Sequence, residues 1–289
     1  MPHVALRGVN LWVERHGSAD GAPILLLHGL GSSSVDWALL LPALAAGHRV
    51  LALDLRGHGR SRPARGVLTV QRLARDVAQA LTALGEETVH VIGLSLGGCV
   101  GLALASTEPT RVRSLTVVNA FAKLQPAGAR GALRTVKRFG LMCLAPMTLA
   151  AGEVARGLFP RPDQRDAYVA AVRSLSSTPR RTYLALMLAL AAFDARARLA
   201  AIRCPTLVVA GERDRTVPRA AADALARGIP HARLVIIPDS AHATPYDQPA
   251  AFSRMVLEFV ASASRGVDVG PAAPERRTSP EQRLHRVAD

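Results

Sequence analysis

Ser95 stands in the run Gly93-Leu94-Ser95-Leu96-Gly97, after an apolar stretch, Thr88–Ile92, that reads as a buried strand and before one, Leu96–Ser106, that reads as a helix. A serine on so sharp a strand-to-helix turn is held in a strained backbone conformation with its hydroxyl exposed, where it can attack a carbonyl carbon. Glycine is required two residues before and two after, because Cβ atoms there collide across the turn. A hydroxyl is a weak nucleophile until a neighbouring base takes its proton and an acid orients that base. The chain offers 9 histidines and 22 acidic residues, so placement relative to the strands must select among them. Cys99, one helical turn beyond Ser95, reads as a small buried residue that packs the helix rather than as a second nucleophile.

Short apolar runs alternate with longer amphipathic stretches, the pattern of βαβ units around a parallel sheet. His3–Gly8 and Val9–Arg15 read as a hairpin. Further strands are expected at Ile24–Leu27, Arg49–Asp54, Thr88–Gly93, Val112–Asn119, Pro205–Gly211 and Arg233–Pro238. Several are near-continuous Val, Ile and Leu, as in strands covered on both faces. Helices are expected at Val35–Ala46, Thr69–Leu84, Leu96–Ser106, Arg219–Arg227 and Pro249–Ala261. Residues 121–200 contain no convincing strand and read as several helices interrupted at Pro126, Pro146, Pro160, Pro162 and Pro179. The expected organisation is therefore a core in two parts, 1–120 and 201–262, around a helical insertion at 121–200. Residues 263–289, rich in Ser, Gly, Pro, Arg and Glu without periodicity, read as a disordered tail.

The strand, elbow and helix around Ser95 resemble the α/β-hydrolase fold family. A second, independent segment shares the resemblance: Leu25-Leu26-Leu27 runs straight into His28-Gly29-Leu30-Gly31-Ser32-Ser33. The resemblance covers about residues 3–262 and points to the capped serine hydrolase branch, enol-lactonases included. It implies an α/β architecture with a mostly parallel central sheet flanked by helices and a helical cap inserted after the sixth strand. It also implies that the backbone N–H of Leu30 and that of Leu96 form an oxyanion hole. The family places acid and base on loops after late strands, in the order Ser, Asp, His. Asp214, just beyond Val208-Val209-Ala210-Gly211, and His242, just beyond Val235-Ile236-Ile237, occupy those places. Glu212 and Asp239 are rival acids, and loop position favours Asp214. The side chain of His28 reads as a structural hydrogen-bonder. Asp54, Arg56 and His58 match a family segment and are expected to hold the loop after the fourth strand.

The triad implies two-step acyl transfer on a small-molecule ester or lactone. A serine rather than an aspartate at the elbow argues against the dehalogenase and epoxide-hydrolase branches. A C–C bond hydrolase of ring-cleavage products, or an acyltransferase or perhydrolase, would use the same triad. Gly31-Ser32-Ser33-Ser34 counts against the ring-cleavage enzymes, which carry a different glycine-rich segment. A non-catalytic ligand-binding protein on this fold often lacks a triad member, and here none is missing. In the insertion, Leu184, Leu186, Met187, Leu188, Leu190 and Phe193 are apolar enough to shelter an acyl group, or to pack the cap on the sheet.

No H-E-x-x-H, clustered Cys/His or phosphate-binding glycine loop occurs, so neither a metal nor a cofactor is expected. Three widely spaced cysteines, Cys99, Cys143 and Cys204, make no disulfide framework and suit a reducing compartment, the cytosol. The N-terminal residues lack a basic region followed by an apolar run, so no secretory signal is expected. The apolar stretch Tyr183–Phe193 is about half of the ~20 residues a membrane span needs, so no integral membrane segment is expected. At 49% hydrophobic residues and a mean hydropathy of +0.18, the chain is not an extended polar one. Its net charge of +14 raises nucleic acid as a partner, but aromatic residues are only 4% of the chain, too few for base stacking. Residues 121–200 carry 13 basic and 4 acidic residues, so most of the excess lies in the expected cap, including Arg130, Arg134, Lys137, Arg138, Arg180 and Arg181. There it could steer anionic esters or simply form a solvated helix face.

Overall fold

The computed structural model describes residues 2–18, 20–125 and 128–266. Its strands are β1 (His3–Leu6), β2 (Val9–His16), β3 (Ala22–Leu27), β4 (His48–Leu53), β5 (Val89–Leu94), β6 (Val112–Val118), β7 (Thr206–Gly211) and β8 (Ala232–Ile237). They form one sheet in the order β1-β2-β4-β3-β5-β6-β7-β8. β2 runs antiparallel to both β1 and β4, and every pairing from β4 to β8 is parallel.

Alternation along the strands divides the core. Leu25 and Leu27 face one layer, whereas Ile24 and Leu26 face the other, and all four are buried. The helices are α1 (Leu41–Ala45), α2 (Val70–Ala83), α3 (Leu96–Thr107), α4 (Gly128–Leu144), α5 (Met147–Leu158), α6 (Arg165–Ser177), α7 (Arg180–Ala192), α8 (Arg219–Gly228), α9 (Thr244–Asp247) and α10 (Pro249–Ser264). α2, α3 and α8 cover the first face; α1 and α10 cover the second. α3 is buried from Leu96 to Ala105, between α2 and the sheet.

The four helices α4–α7 lie between β6 and β7 in sequence. The interruptions read at Pro146, Pro160, Pro162 and Pro179 fall between helices or at a helix start, because proline has no N–H to donate and its ring excludes the preceding turn, and Pro126 lies outside the described residues. The insertion has a small core of its own, built from Met142, Ala150, Ala151, Ala155, Leu175 and Tyr183, with Leu30 packed against it.

One expected helix is interrupted. Val35–Ala46 is a 3₁₀ turn, Ser34–Trp37, followed by the short α1. Pro42 would fall in the interior of a continuous helix, where its missing N–H and its ring are incompatible with the preceding turn; it sits instead in the first turn of α1. α10 ends at Ser264, and residues 267–289 of the expected tail lie outside the described residues. Among the described residues no helix is long and apolar enough to cross a membrane.

Candidate active site

Ser95 terminates β5 with φ 52° and ψ −109°, a conformation L-residues rarely adopt. Two glycines make room for it. A Cβ on Gly93 would lie 2.4 Å from the Gly97 carbonyl oxygen, and one on Gly97 would lie 2.0 Å from the Leu27 carbonyl oxygen. The elbow is pinned on both sides: Ser95 N–H donates to the Val118 carbonyl (2.8 Å) and Gly97 N–H to the His28 carbonyl (3.1 Å).

Two loops from the far end of the sheet meet this serine. His242 Nε2 is 3.0 Å from Ser95 Oγ, and His242 Nδ1 is 2.7 Å from Asp214 Oδ2. The other Asp214 oxygen accepts the N–H groups of Thr216 (2.7 Å) and Val217 (3.1 Å). Donation from Nδ1–H to Asp214 leaves Nε2 to accept the serine proton. The histidine and aspartate side chains are 9% and 3% exposed, so little water competes for the contact. Of the rival acids, Glu212 accepts the Asp239 N–H (3.2 Å) and Asp239 pairs with Arg213, both at the surface.

The segment after β3 is fixed by side chains from the neighbouring loop. His28, buried between strands, donates through Nδ1 to the Gly29 carbonyl (2.7 Å) and accepts the Leu55 N–H at Nε2 (2.9 Å). His58 Nε2 accepts the Gly31 N–H (3.0 Å). Burial pushes His28 down to about 4 and His58 down to about 3, the latter helped by the adjacent His28, so both rings are neutral acceptors. Asp54 ties the two loops together, accepting Ser34 N–H (2.7 Å) and Arg60 N–H (2.9 Å). Arg56, 1% exposed, makes a two-pronged ion pair with Asp76. These four residues hold loops.

Their effect falls on Leu30. Gly29 N–H donates to Asp36 Oδ2 (3.1 Å) and Gly31 N–H to His58, while no acceptor for the intervening Leu30 N–H occurs among the described residues. Leu96 N–H opens α3, where the helix itself supplies no partner. Both residues flank the cavity in front of Ser95, Leu30 in its lining and Leu96 next to the serine.

Residues with no local sequence signal complete the site. Asn119 takes φ 47°, a left-handed conformation asparagine tolerates. Its Nδ2 donates to the His242 carbonyl (2.7 Å) and Thr244 Oγ1 (2.8 Å), and its Oδ1 accepts the Gly211 N–H (2.8 Å). Asp247, buried, accepts the Ala241 N–H (2.7 Å) through one oxygen and the Gln164 side chain through the other, joining the histidine loop to the insertion. Asp36 lines the cavity, and burial pushes its carboxyl up to about 6, against hydrogen bonds from Ser32 and Gly29 that favour the ionised form.

The cavity over Ser95 measures about 170 Å³ and is roofed by α4–α7. Apolar side chains dominate its lining, among them Leu94, Phe121, Leu158, Phe159, Met187 and Leu190; the ionisable groups among the described residues are Asp36, Arg138, His242 and Tyr246. Of the six residues expected to be pocket lining or packing, five in α7 and Phe193 just after it, Met187 and Leu190 reach the cavity. Leu186 and Phe193 join the sheet core, Leu184 packs within the insertion, and Leu188 is 57% exposed. A helix apolar on all sides carries no face for periodicity to identify. Among the described residues no group of three or more His, Cys, Asp or Glu could hold a metal ion.

Residues 22–249 match the sequence profile of a family described as alpha/beta hydrolase fold. The chain is 37% identical over 269 residues to a protein of Azorhizobium caulinodans named as a carbamate hydrolase, RutD, covering 90% of this chain and 98% of the relative. It is 30% identical over 259 residues to 3-oxoadipate enol-lactonase 1 of Acinetobacter baylyi, covering 89% and 95%. A solved structure of the enol-lactonase from Burkholderia xenovorans LB400 superposes with a TM-score of 0.83 at 27% identity, over 90% of this chain and 100% of that one.

Proposed function

The chain belongs to the α/β-hydrolase fold family and is a hydrolase, and from that premise we propose that it cleaves a small to medium hydrophobic carboxylic ester or lactone through an acyl-enzyme on Ser95. The observation that carries this reading is the relay from Ser95 Oγ through His242 to Asp214, at 3.0 and 2.7 Å, on a strained elbow. His242 Nε2 takes the hydroxyl proton as Ser95 attacks the carbonyl carbon, and Asp214 stabilises the imidazolium. Leu30 and Leu96 N–H groups receive the oxyanion, each worth about 3–4 kcal/mol in comparable sites. His242 then protonates the leaving alcohol oxygen, and a water deprotonated by the same nitrogen releases the acid.

Residues 121–200 serve in this reading as a cap between two core segments, 1–120 and 201–262. The cap excludes water and supplies the apolar wall. The reaction draws on no cofactor or metal, and the free thiols of Cys99, Cys143 and Cys204 suit the cytosol. A second reading is carbamate hydrolysis, favoured by the relative at 37% identity that bears that name. The same relay would form a carbamoyl-serine instead of an acyl-serine.

A panel of p-nitrophenyl esters, lactones and carbamates, run with the wild type and Ser95→Ala, tests both. The expected result is turnover by the wild type and a loss of about a million-fold in kcat on Ser95→Ala. Undiminished turnover by the variant would remove Ser95 from the reaction, and preference for carbamates over matched esters would select the second reading.

A further inference from the structure

Arg138 is the one Lys or Arg that lines the cavity among the described residues. It enters from α4, and its Nη2 donates to the hydroxyl of Tyr183, a residue in the core of the insertion. Its remaining capacity is unused. Nε is buried without an acceptor, Nη1 has no hydrogen bond, and no carboxylate pairs with the guanidinium among the described residues. A guanidinium cannot shed its proton, so in a cavity lined largely by apolar residues it is a standing positive charge with N–H groups to spare.

A second cavity of about 320 Å³ adjoins the first, sharing Leu124, Thr135, Arg138, Leu158 and Thr216 with it. This outer space is lined by Arg134, Lys137 and Arg215, with Glu153 the single acid among the described residues. Glu153 pairs with Lys137 and Arg156, which leaves Arg134 and Arg215 without an acidic partner among the described residues. Arg138 thus stands where a basic approach meets the chamber of Ser95. Asp36, in contrast, lines the inner chamber alone, hydrogen-bonded to the segment that carries Leu30.

We infer that the substrate is an anion: an ester or lactone whose far end bears a carboxylate, bound by Arg138 while its carbonyl lies at Ser95. This rests on the proposed reading of the site. Arginine suits the task because its planar fork matches a carboxylate with paired hydrogen bonds. The basic approach raises the local concentration of such an anion, and Asp36 disfavours the reversed orientation, which would set the carboxylate beside Ser95.

The test compares mono-p-nitrophenyl glutarate with neutral p-nitrophenyl pentanoate on the wild type, Arg138→Met and Arg138→Lys. The wild type should prefer the half-ester by at least ten-fold in kcat/KM. Arg138→Met should lower that ratio by ten-fold or more, chiefly through KM of the half-ester, and Arg138→Lys should restore part of it. A ratio that Arg138→Met leaves unmoved overturns the proposal while the serine hydrolase reading stands. If the wild type turns over neither ester, calorimetric titration of glutarate decides. Binding that weakens ten-fold or more in Arg138→Met keeps the carboxylate site and discards the ester reading; absence of binding, or binding indifferent to Arg138, discards the site as well.

Discussion

The sheet and its helical insertion solve different problems with different materials. On the sheet side, the residues expected to react sit just beyond strand ends, and hydrogen bonds to the main chain hold them: Ser95 by strand and elbow, Leu30 through the Asp36 and His58 side chains that accept the N–H groups on either side of it, Asp214 by two N–H groups. Packing leaves almost no freedom there, since α3 is buried along most of its length. The insertion has a small core and exposes Leu133, Val136, Leu144 and Leu149. It contributes Arg138, Leu158, Phe159 and Met187, among others, to the lining of the cavity. On the proposed reading, reaction geometry belongs to the sheet layer, through hydrogen bonds to its main chain, and substrate choice belongs to the separable insertion.

That division can be broken at its strongest point by one methyl group. In Gly97→Ala the new Cβ would meet the Leu27 carbonyl oxygen at 2.0 Å and the His28 carbonyl oxygen at 2.8 Å, all backbone. The expected result is a loss of more than ~10³-fold in kcat, in line with loss of an oxyanion donor, together with a fall of several kcal/mol in stability. Near-normal kcat would mean that the elbow yields and the backbone is not what fixes the geometry.

Acid should discriminate next. His28, His58 and His90 are pushed from 6.5 down to about 4, 3 and 4, chiefly by burial. A depressed histidine value means that the unfolded chain binds more protons, so the stability these rings contribute is present above pH 6.5 and is lost as pH falls toward 3–4. Asp36 works the other way, since its raised value favours folding below about 3.8 and loses that contribution as pH rises through about 6. Three rings outweigh one carboxyl. Chemical denaturation at pH 7.5 and 4.5 should show a loss on the order of 3 kcal/mol or more, with disruption at the β3 and β4 loops rather than in α4–α7. Equal midpoints at the two pH values would contradict the burial argument.

Smaller effects are expected where side chains position the relay. Asn119→Ala strips the His242 carbonyl and the Gly211 N–H of their partner. It should lower kcat about 10–100-fold, with KM little changed, the range seen when a supporting hydrogen bond is removed from a reacting group. An effect confined to KM would assign Asn119 to substrate binding instead. Gln164→Ala cuts the insertion's hydrogen bond to Asp247 and should cost only about 0.5–1.5 kcal/mol of stability. A loss of activity as large as that of Asn119→Ala would show that the two layers are not separable.

How far each layer can be read from sequence follows the same line. Ser95, Leu96, Leu30, Asp214 and His242 sit within a few residues of apolar strands, so local pattern locates them. Asn119 and Gln164 do not announce themselves, because their partners are 123 and 83 residues away in the chain. Asp36 lies in a segment that reads as one continuous helix until Pro42 is placed, and only its contact with Gly29 reveals its position. α7 is apolar on all sides, so which residues face the cavity is settled by packing. Arg138 reads as one of many arginines in a basic stretch; its missing partner is visible only in three dimensions.

On the proposed mechanism the acyl group of the substrate passes to Ser95 Oγ as the alcohol leaves. Acid quenching during turnover of a p-nitrophenyl ester, followed by peptide mass spectrometry, tests it directly. The expected result is an added acyl mass on the peptide containing Ser95, absent from Ser95→Ala. Sustained turnover with no adduct, or with the acyl group on another residue, would contradict it.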